Sequence, residues 1–394
     1  MRRIPYIGPT KPQGDLSGIW SMYDQYQLSQ SGQWTTTSVQ QQWTRPDDWL
    51  PMPSVAPGEK KFVGLYGVWP LGIANTVGIN CNDDFTVDWG DGTAPQNYSA
   101  GGAFYAYNFA DIDTGTLTSH GYKQVIITVT PQPGKTITNL ITIDYTGVDG
   151  IAPVQTGFNW LDLNVQFSDL TNLVIGYVYA NGRNTINCQR VVVGPNQITN
   201  FSNLCRGFSY LQSVDIDTST GTNLSYMFAG CPRLKIAPSL NTSSATNMSY
   251  MFSGSNIEII PAYDYSNAIN VEHMFEGTKI THVPPLTLPV ATNISYMFSG
   301  SWIESLAYLD APLATNAVGM CQYSRIKSVG ILRIPNVTDM SYMFNSTLFN
   351  YPIGIGSTVI YLKNQNLKAI LIFCFNLYSS KINNSEHKVS NRYA

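Results

Sequence analysis

Apolar and polar positions along residues 199–349 repeat with one dominant period. The phrase Thr-Asn-x-Ser-Tyr-Met-Phe-x-Gly runs from Thr222 to Gly230, again from Thr246 to Gly254, and from Thr292 to Gly300. Looser copies surround Met274, Met320 and Met343. The Met positions 227, 251, 274, 297, 320 and 343 are separated by steps of 24, 23, 23, 23 and 23, and one more step back reaches Leu204-Cys205, giving seven copies. Such a period is the signature of stacked repeats, in which no single copy can bury its apolar face alone. Within a copy the apolar residues fall at offsets 0, 3 and 4, as at Met248, Met251 and Phe252, which predicts one short helical turn capped by Asn and ended by Gly. A second apolar set follows the Gly: Ile280, Val283 and Leu286; Ile303, Leu306 and Leu309; Ile326, Val329 and Leu332. These predict short strands that pair in parallel from copy to copy, about 4.8 Å apart.

Two columns stand out. Asn200, Asn223, Asn247, Asn270, Asn293 and Asn316, with Asp339 last, are expected to form a structural ladder of buried side chains serving their own turn and the next. Tyr226, Tyr250, His273, Tyr296 and Tyr342 sit beside the buried Met and are expected to point partly outward. That strip is a candidate ligand-binding surface for sugars or a protein interface; the alternative is a ladder of rings that stabilise one another. Copies that depart from the phrase, at Leu204-Cys205 and at Met320-Cys321 with Tyr323 in place of Gly, are expected to be slightly irregular.

Ahead of the repeats, Phe85 to Trp89 alternates and breaks at Asp91-Gly92, a strong turn signal, and Tyr122 to Thr130 reads as a β-branched strand closed by Pro131. Residues 58–150 are therefore expected to form a β-sandwich. Residues 151–198 are expected to form an N-terminal cap, because Thr171-Asn172-Leu173 echoes the phrase one enlarged step ahead of Thr199. Residues 350–394 are expected to form a C-terminal cap and tail. Residues 1–57 read as an arm holding Trp20, Trp34, Trp43 and Trp49, too much apolar area for a free linker. The expectation is that Trp20, Tyr23, Tyr26, Trp34 and Trp43 dock onto a partner assembly; the other reading packs them on the next domain.

The period and the phrase resemble the BspA-type leucine-rich repeats of surface and phage proteins, which implies a binding or display scaffold. The Trp89-Gly90-Asp91-Gly92-Thr93 strand end and the Val125–Thr130 strand resemble the PKD-type immunoglobulin-like sandwich. Gly18 to Leu28, with Gly32-Gln33-Trp34, resembles an N-terminal segment of structural proteins from tailed phages, which implies attachment to a virion. The fold class is thus mainly β with short helical turns: an extended arm, a PKD-like β-sandwich, then a leucine-rich-repeat solenoid of 23-residue period.

Composition narrows the chemistry. Charged residues are 12% of 394, against about 25% in ordinary domains, so Asn, Ser, Thr, Gln and Tyr must cover the surface. A formal charge of −3 gives no electrostatic reason to expect nucleic acid. The six cysteines show no metal-ligand pairing, and none of the four histidines lies in a catalytic motif, so no catalytic residue, metal or cofactor is expected. Asp83, Asp84, Asp88 and Asp91 lack a calcium-loop spacing and read as turn residues. Glu258 and Glu304 share one column two copies apart, about 10 Å by strand spacing, which keeps a glycosidase as a weak alternative. No apolar run is long enough to span a bilayer, and the N-terminus lacks a secretory h-region. The expected protein is a non-enzymatic, adhesive virion component (a fibre or decoration protein) that binds virion partners through its arm and a host glycan or protein through its repeats, with homo-oligomerisation possible. A bacterial surface adhesin is the alternative.

Overall fold

A computed structural model describes residues 43–70, 75–144, 159–175, 187–347 and 359–361. They belong to two units, up to Ile257 and from Glu258 onward. The chain is mainly β, and among the described residues the only helical element is one 3-10 turn, Thr114–Thr116.

The first unit begins with β1 (Lys61–Val68), β2 (Thr76–Cys81), β3 (Phe85–Asp88), β4 (Gln96–Tyr98), β5 (Gly101–Ala106), β6 (Lys123–Pro131) and β7 (Asn139–Asp144). It continues with β8 (Trp160–Gln166), β9 (Asn172–Ile175), β10 (Arg190–Val193) and β11 (Ser213–Ile216). One open sheet has the order β11-β10-β8-β1-β6-β3-β4 and the other β5-β2-β7-β9. Central β1 is apolar at nearly every position, as a strand covered on both faces must be. Its Gly64 gives the Trp160 ring room: a Cβ there would stand 2.8 Å from Cε3 of that ring. Phe62 and Tyr66 close on Trp160 edge-on, with centroids 5.3 and 5.2 Å away. The predicted Asp91-Gly92 turn is present, with Gly90 and Gly92 at φ 74° and 89°.

The sheets do not stop at residue 150. From the expected cap, β8 pairs antiparallel with β1 and β9 pairs parallel with β7, so residues 160–175 extend both sheets. From β8 onward the pairing turns parallel. Asp162 faces Arg190 and Arg190 faces Ser213, so the first step is enlarged and the second already has the repeat period.

Part of the arm also lies in this unit. Trp49 is buried with Leu65, Tyr122 and Leu161, and its indole N–H donates to the Tyr122 hydroxyl at 2.9 Å. Trp43 packs against Trp49 at 6.2 Å and under the Arg190 guanidinium at 5.8 Å. Trp43, one of the residues expected to dock onto a partner, packs on its own chain, where β1, β6 and β8 leave an apolar face that the two tryptophans cover. Arg45 pairs with the fully buried Asp162, and Arg190 reaches the other oxygen of that carboxylate at 3.4 Å. Trp20, Tyr23, Tyr26 and Trp34 lie outside the described residues, as do most of the expected C-terminal cap and tail.

The second unit holds β12 (Leu286–Thr287), β13 (Ser305–Asp310), β14 (Ser328–Arg333) and β15 (Val359–Tyr361), all parallel and in that order. Leu286 faces Leu309 and Ser305 faces Ser328, each exactly one repeat on, while the step from Ile331 to Val359 is enlarged. The second apolar sets ending at Leu286, Leu309 and Leu332 therefore form the parallel strands that their β-branched content predicts, while the copies between Gly230 and Ile269 carry no strand there.

The Met-Phe segments are not helical. In each, a side-chain oxygen of the Asn column accepts the N–H two residues on, at 2.9–3.1 Å from Asn200 through Asp339. A tight turn follows, closed in the second copy by Met227 N–H to Leu224 C=O at 3.3 Å, and another by Ala229 N–H to Tyr226 C=O at 3.1 Å. The amides of Leu224, Tyr226, Phe228 and Gly230 then donate to Asn247, Ser249, Met251 and Ser253 of the next copy, at 2.8–3.0 Å. The second unit repeats the pattern, with Ile294, Tyr296, Phe298 and Gly300 donating to Asn316, Val318, Met320 and Gln322. Amides bonded to a neighbouring copy cannot make i→i−4 bonds, which is why the helix-like spacing produces turns instead.

Within each unit the predicted apolar positions are buried. Leu224, Met227, Phe228, Met248, Met251 and Phe252 are fully enclosed in the first, and Val271, Met274, Phe275, Ile294, Met297 and Phe298 in the second. Phe228 stacks on Phe252 at 5.7 Å and Phe275 on Phe298 at 5.6 Å. Cys205 and Cys321 fill the Phe slot as buried small residues. The Asn column differs from its expectation: the side chains are half-buried or, at Asn200 and Asp339, exposed. They cap their own turns, and the copy-to-copy link is made by the backbone, seen as parallel bridges at Asn200–Asn223–Asn247 and at Asn270–Asn293–Asn316–Asp339.

Candidate functional site

The consecutive turns force two left-handed backbone positions into every copy. The first, just before the Met, holds Asn203, Tyr226, Tyr250, His273, Tyr296, Gly319 and Tyr342, with φ between 53° and 62°. The second, three residues after the Met, holds Gly207, Gly230, Gly254, Gly277, Gly300, Tyr323 and Ser346, with φ between 56° and 74°. The copies expected to be irregular keep the same backbone signs as the rest. Left-handed geometry costs an L-residue about 1–2 kcal/mol, which explains Gly in the second column and makes Tyr in the first unexpected.

The rings in the first column offset that cost by stacking. Tyr226 and Tyr250 lie 4.5 Å apart and 5° from parallel, and Arg206 covers Tyr226 at 4.8 Å. In the second unit His273 and Tyr296 lie 4.7 Å apart and 16° from parallel, with Glu276 held 2.9 Å from His273 Nδ1. The five predicted strip residues thus hold the same position in their respective copies, and four of them have a ring face against another ring within their unit. Tyr342, the fifth, has no such neighbour among the described residues and is 53% exposed. Gly319 precedes it in the column and carries no ring.

Other surface groups on the repeats are engaged as well. Trp302 carries Lys279 and Arg325 over its ring at 5.5 and 3.7 Å, and Arg233 covers Tyr210 at 4.4 Å. Glu304 pairs with Lys327 at 3.0 Å, one copy on in the same column. That contact places Glu304 in a surface ion pair. Among the described residues no group of three or more His, Cys, Asp or Glu is arranged to hold a metal ion. Asp83 accepts the Thr136 N–H, and Lys135 bridges Asp83 and Asp84 at 3.2 and 3.0 Å. Thr136 and Lys135 therefore hold the two carboxyls below their usual range. Burial pushes the thiols of Cys81 and Cys231 up to about 12, so they are packing groups and not nucleophiles.

The family comparison covers several of these copies. Residues 197–302 match the family described as "Mycoplasma protein of unknown function, DUF285". The matched span runs from the Asn200 turn to Trp302, including the stacked pairs Tyr226–Tyr250 and His273–Tyr296, and is consistent with a BspA-type repeat protein. No curated protein and no solved structure matches the chain.

One residue at this face escaped the strip as drawn from the sequence. Tyr323 is 60% exposed and belongs to the glycine column. Its signal was visible in the phrase, where Tyr replaces Gly, and it predicted only a local distortion.

Proposed function

We propose that this chain is a non-enzymatic display and adhesion protein, built as a PKD-like sandwich followed by a leucine-rich-repeat solenoid that offers its turn face to a partner. The observation that carries this reading is the repeated turn itself: within each unit, two left-handed positions per copy set a row of mostly aromatic side chains and a row of mostly glycines at a fixed interval. Such a surface grows with copy number and needs no enclosed cavity, as suits an extended contact better than a reaction. The low charge content and the polar Asn, Ser and Thr cover agree with a particle surface or a cell exterior.

Within this reading we favour a tailed-phage virion, in which the Trp-rich segment before residue 43 attaches to other virion proteins and the repeats meet the host surface. A second reading, a bacterial surface adhesin, is favoured by the match of residues 197–302 to a family described from a cellular organism. Mass spectrometry of particles purified from the source culture separates the two. The virion reading expects peptides from this chain at stoichiometric levels alongside capsid and tail proteins; their presence only in the cell-envelope fraction selects the adhesin. Fluorescently labelled chain that binds neither host cells nor isolated envelopes would remove both.

A further inference from the structure

The sixth copy exchanges two residues of the repeated phrase. Asn293-Ile294-Ser295-Tyr296-Met297-Phe298-Ser299-Gly300 has Tyr before the Met and Gly three residues after it, whereas Asn316-Ala317-Val318-Gly319-Met320-Cys321-Gln322-Tyr323 has Gly before and Tyr after. Both copies keep the same backbone: Tyr296 and Gly319 have φ 53° and 57°, and Gly300 and Tyr323 have φ 63° and 57°. The exchange thus leaves the turn unchanged and moves a ring from one column to the other.

That transfer has two effects. Gly319 ends the stacked column: the Tyr296 ring lies over it, with Cδ1 2.6 Å from where a Cβ would stand, so Tyr342 in the following copy has no ring beneath it. Tyr323, in turn, stands in a column whose neighbours, Gly300 and Ser346, are too small to reach its faces. Neither Tyr323 nor Tyr342 has a ring or cation against it among the described residues, and they are 60% and 53% exposed. The two are tied together by backbone. Tyr323 N–H donates to Asn345 C=O at 2.9 Å, and Asn345 N–H donates to Tyr342 C=O at 3.0 Å. The residues beside them in the chain, Gln322, Ser341 and Ser346, and the bridging Asn345 carry amides and hydroxyls. The described cations of these two copies are already engaged: Arg325 lies on Trp302, Lys327 meets Glu304 at 3.0 Å and Arg333 meets Asp310 at 3.1 Å.

We propose that Tyr323 and Tyr342 form a binding platform for a neutral sugar chain. Open aromatic faces receive the apolar C–H face of a pyranose, and the uncharged amide and hydroxyl rim suits its hydroxyl groups. Among the described residues of these two copies no cation is uncommitted, which argues against an anionic glycan. Tyr323 also keeps an L-side chain in a left-handed position with no ring or cation stacked on it among the described residues, as strain retained at a binding site would. This rests on the adhesive reading and gives it a ligand class.

The test is calorimetric titration of the full chain with neutral hexasaccharides of glucose, mannose and N-acetylglucosamine, with sialyllactose and a sulfated hexasaccharide as anionic arms. At least one neutral hexasaccharide is expected to bind, and Tyr323→Gly, which restores the repeat phrase and so preserves the fold, weakens it about tenfold. Tyr342→Ala is expected to weaken it similarly, with the thermal transition of each variant confirming folding. Binding of the anionic sugars alone, of no sugar, or equal binding by the double variant would each overturn the platform. So would loss of binding with Tyr250→Ala and none with Tyr323→Gly, which returns the site to the stacked column. A chain that binds no sugar yet still labels host cells leaves the adhesive reading standing without this ligand.

Discussion

The ring of Tyr296 occupies the space in which a side chain at residue 319 would begin, with its Cδ1 2.6 Å from the Cβ position of Gly319. The six other members of that column carry side chains at the same φ, so the backbone angle alone does not call for Gly319, and a side chain added there must displace the Tyr296 ring. Gly319→Ala is expected to cost about 1–3 kcal/mol through overpacking. In a Tyr296→Ala background the same change should cost well under half as much. Urea unfolding of the four proteins measures the coupling, and equal costs in both backgrounds would refute the contact.

Gly254 and Tyr323 form a complementary pair. Nothing lies within 4 Å of a Cβ built on Gly254, so the cost of Gly254→Ala is purely conformational. A loss of about 1 kcal/mol is expected. Tyr323→Gly relieves the same strain in the same column and is expected to be neutral or to gain up to about 1 kcal/mol, even though a large ring is removed. A loss above about 1 kcal/mol would show that the Tyr323 ring packs against the fold.

Asp162 tests the inner arm. Its carboxylate is fully buried between Arg45 and Arg190. Arg45→Met leaves that charge half-compensated, with an expected loss of about 3–5 kcal/mol. Pairing it with Asp162→Asn should recover much of the loss, and chemical denaturation followed by tryptophan fluorescence reads both. A small effect of Arg45→Met alone would mean that Arg190 suffices.

Acid should weaken the first unit. The hydroxyl and N–H of Ser119 hold the Asp48 carboxyl below its usual value, as Thr136 does for Asp83 and Lys135 for Asp84. Carboxyls whose folded values are depressed contribute stability above the unfolded value, about 4, and lose it as the pH falls through the folded values. The urea midpoint is expected to be flat from about pH 7 to 5 and to fall below about pH 4, with a shallower fall in Asp48→Asn. A midpoint that rises on acidification would contradict the assignment.

The repeat core was legible because burial imposes itself on sequence at every step. Met251 and Phe252 are enclosed where the repeat period put them, and Cys205 and Cys321 fill the Phe slot. Local geometry was less legible. Offsets of 0, 3 and 4 fit a helical turn and a pair of tight turns equally well, and Tyr gives no hint of a positive φ, so the left-handed column was hidden. Whether rings face a ligand or one another depends on their neighbours in the next copy: all five strip residues share the predicted column, but only the structure shows the faces of four of them in use. Tryptophan content likewise cannot say which surface is covered, and Trp43 covers β-sheet of its own unit. The extra strands β8 and β9 were missed because residues 160–175 carry the repeat phrase only at Asn172 while pairing with the sheets before them.

Since successive copies within a unit hand the same set of amide hydrogens from one to the next, the gene can gain or lose one whole copy there without leaving a donor unmatched. Duplication in frame is then nearly neutral for folding, while the identity of the residue at each left-handed position is free to drift. Reach and specificity can evolve separately: length by copying, and recognition by swapping a Tyr for a Gly within one copy.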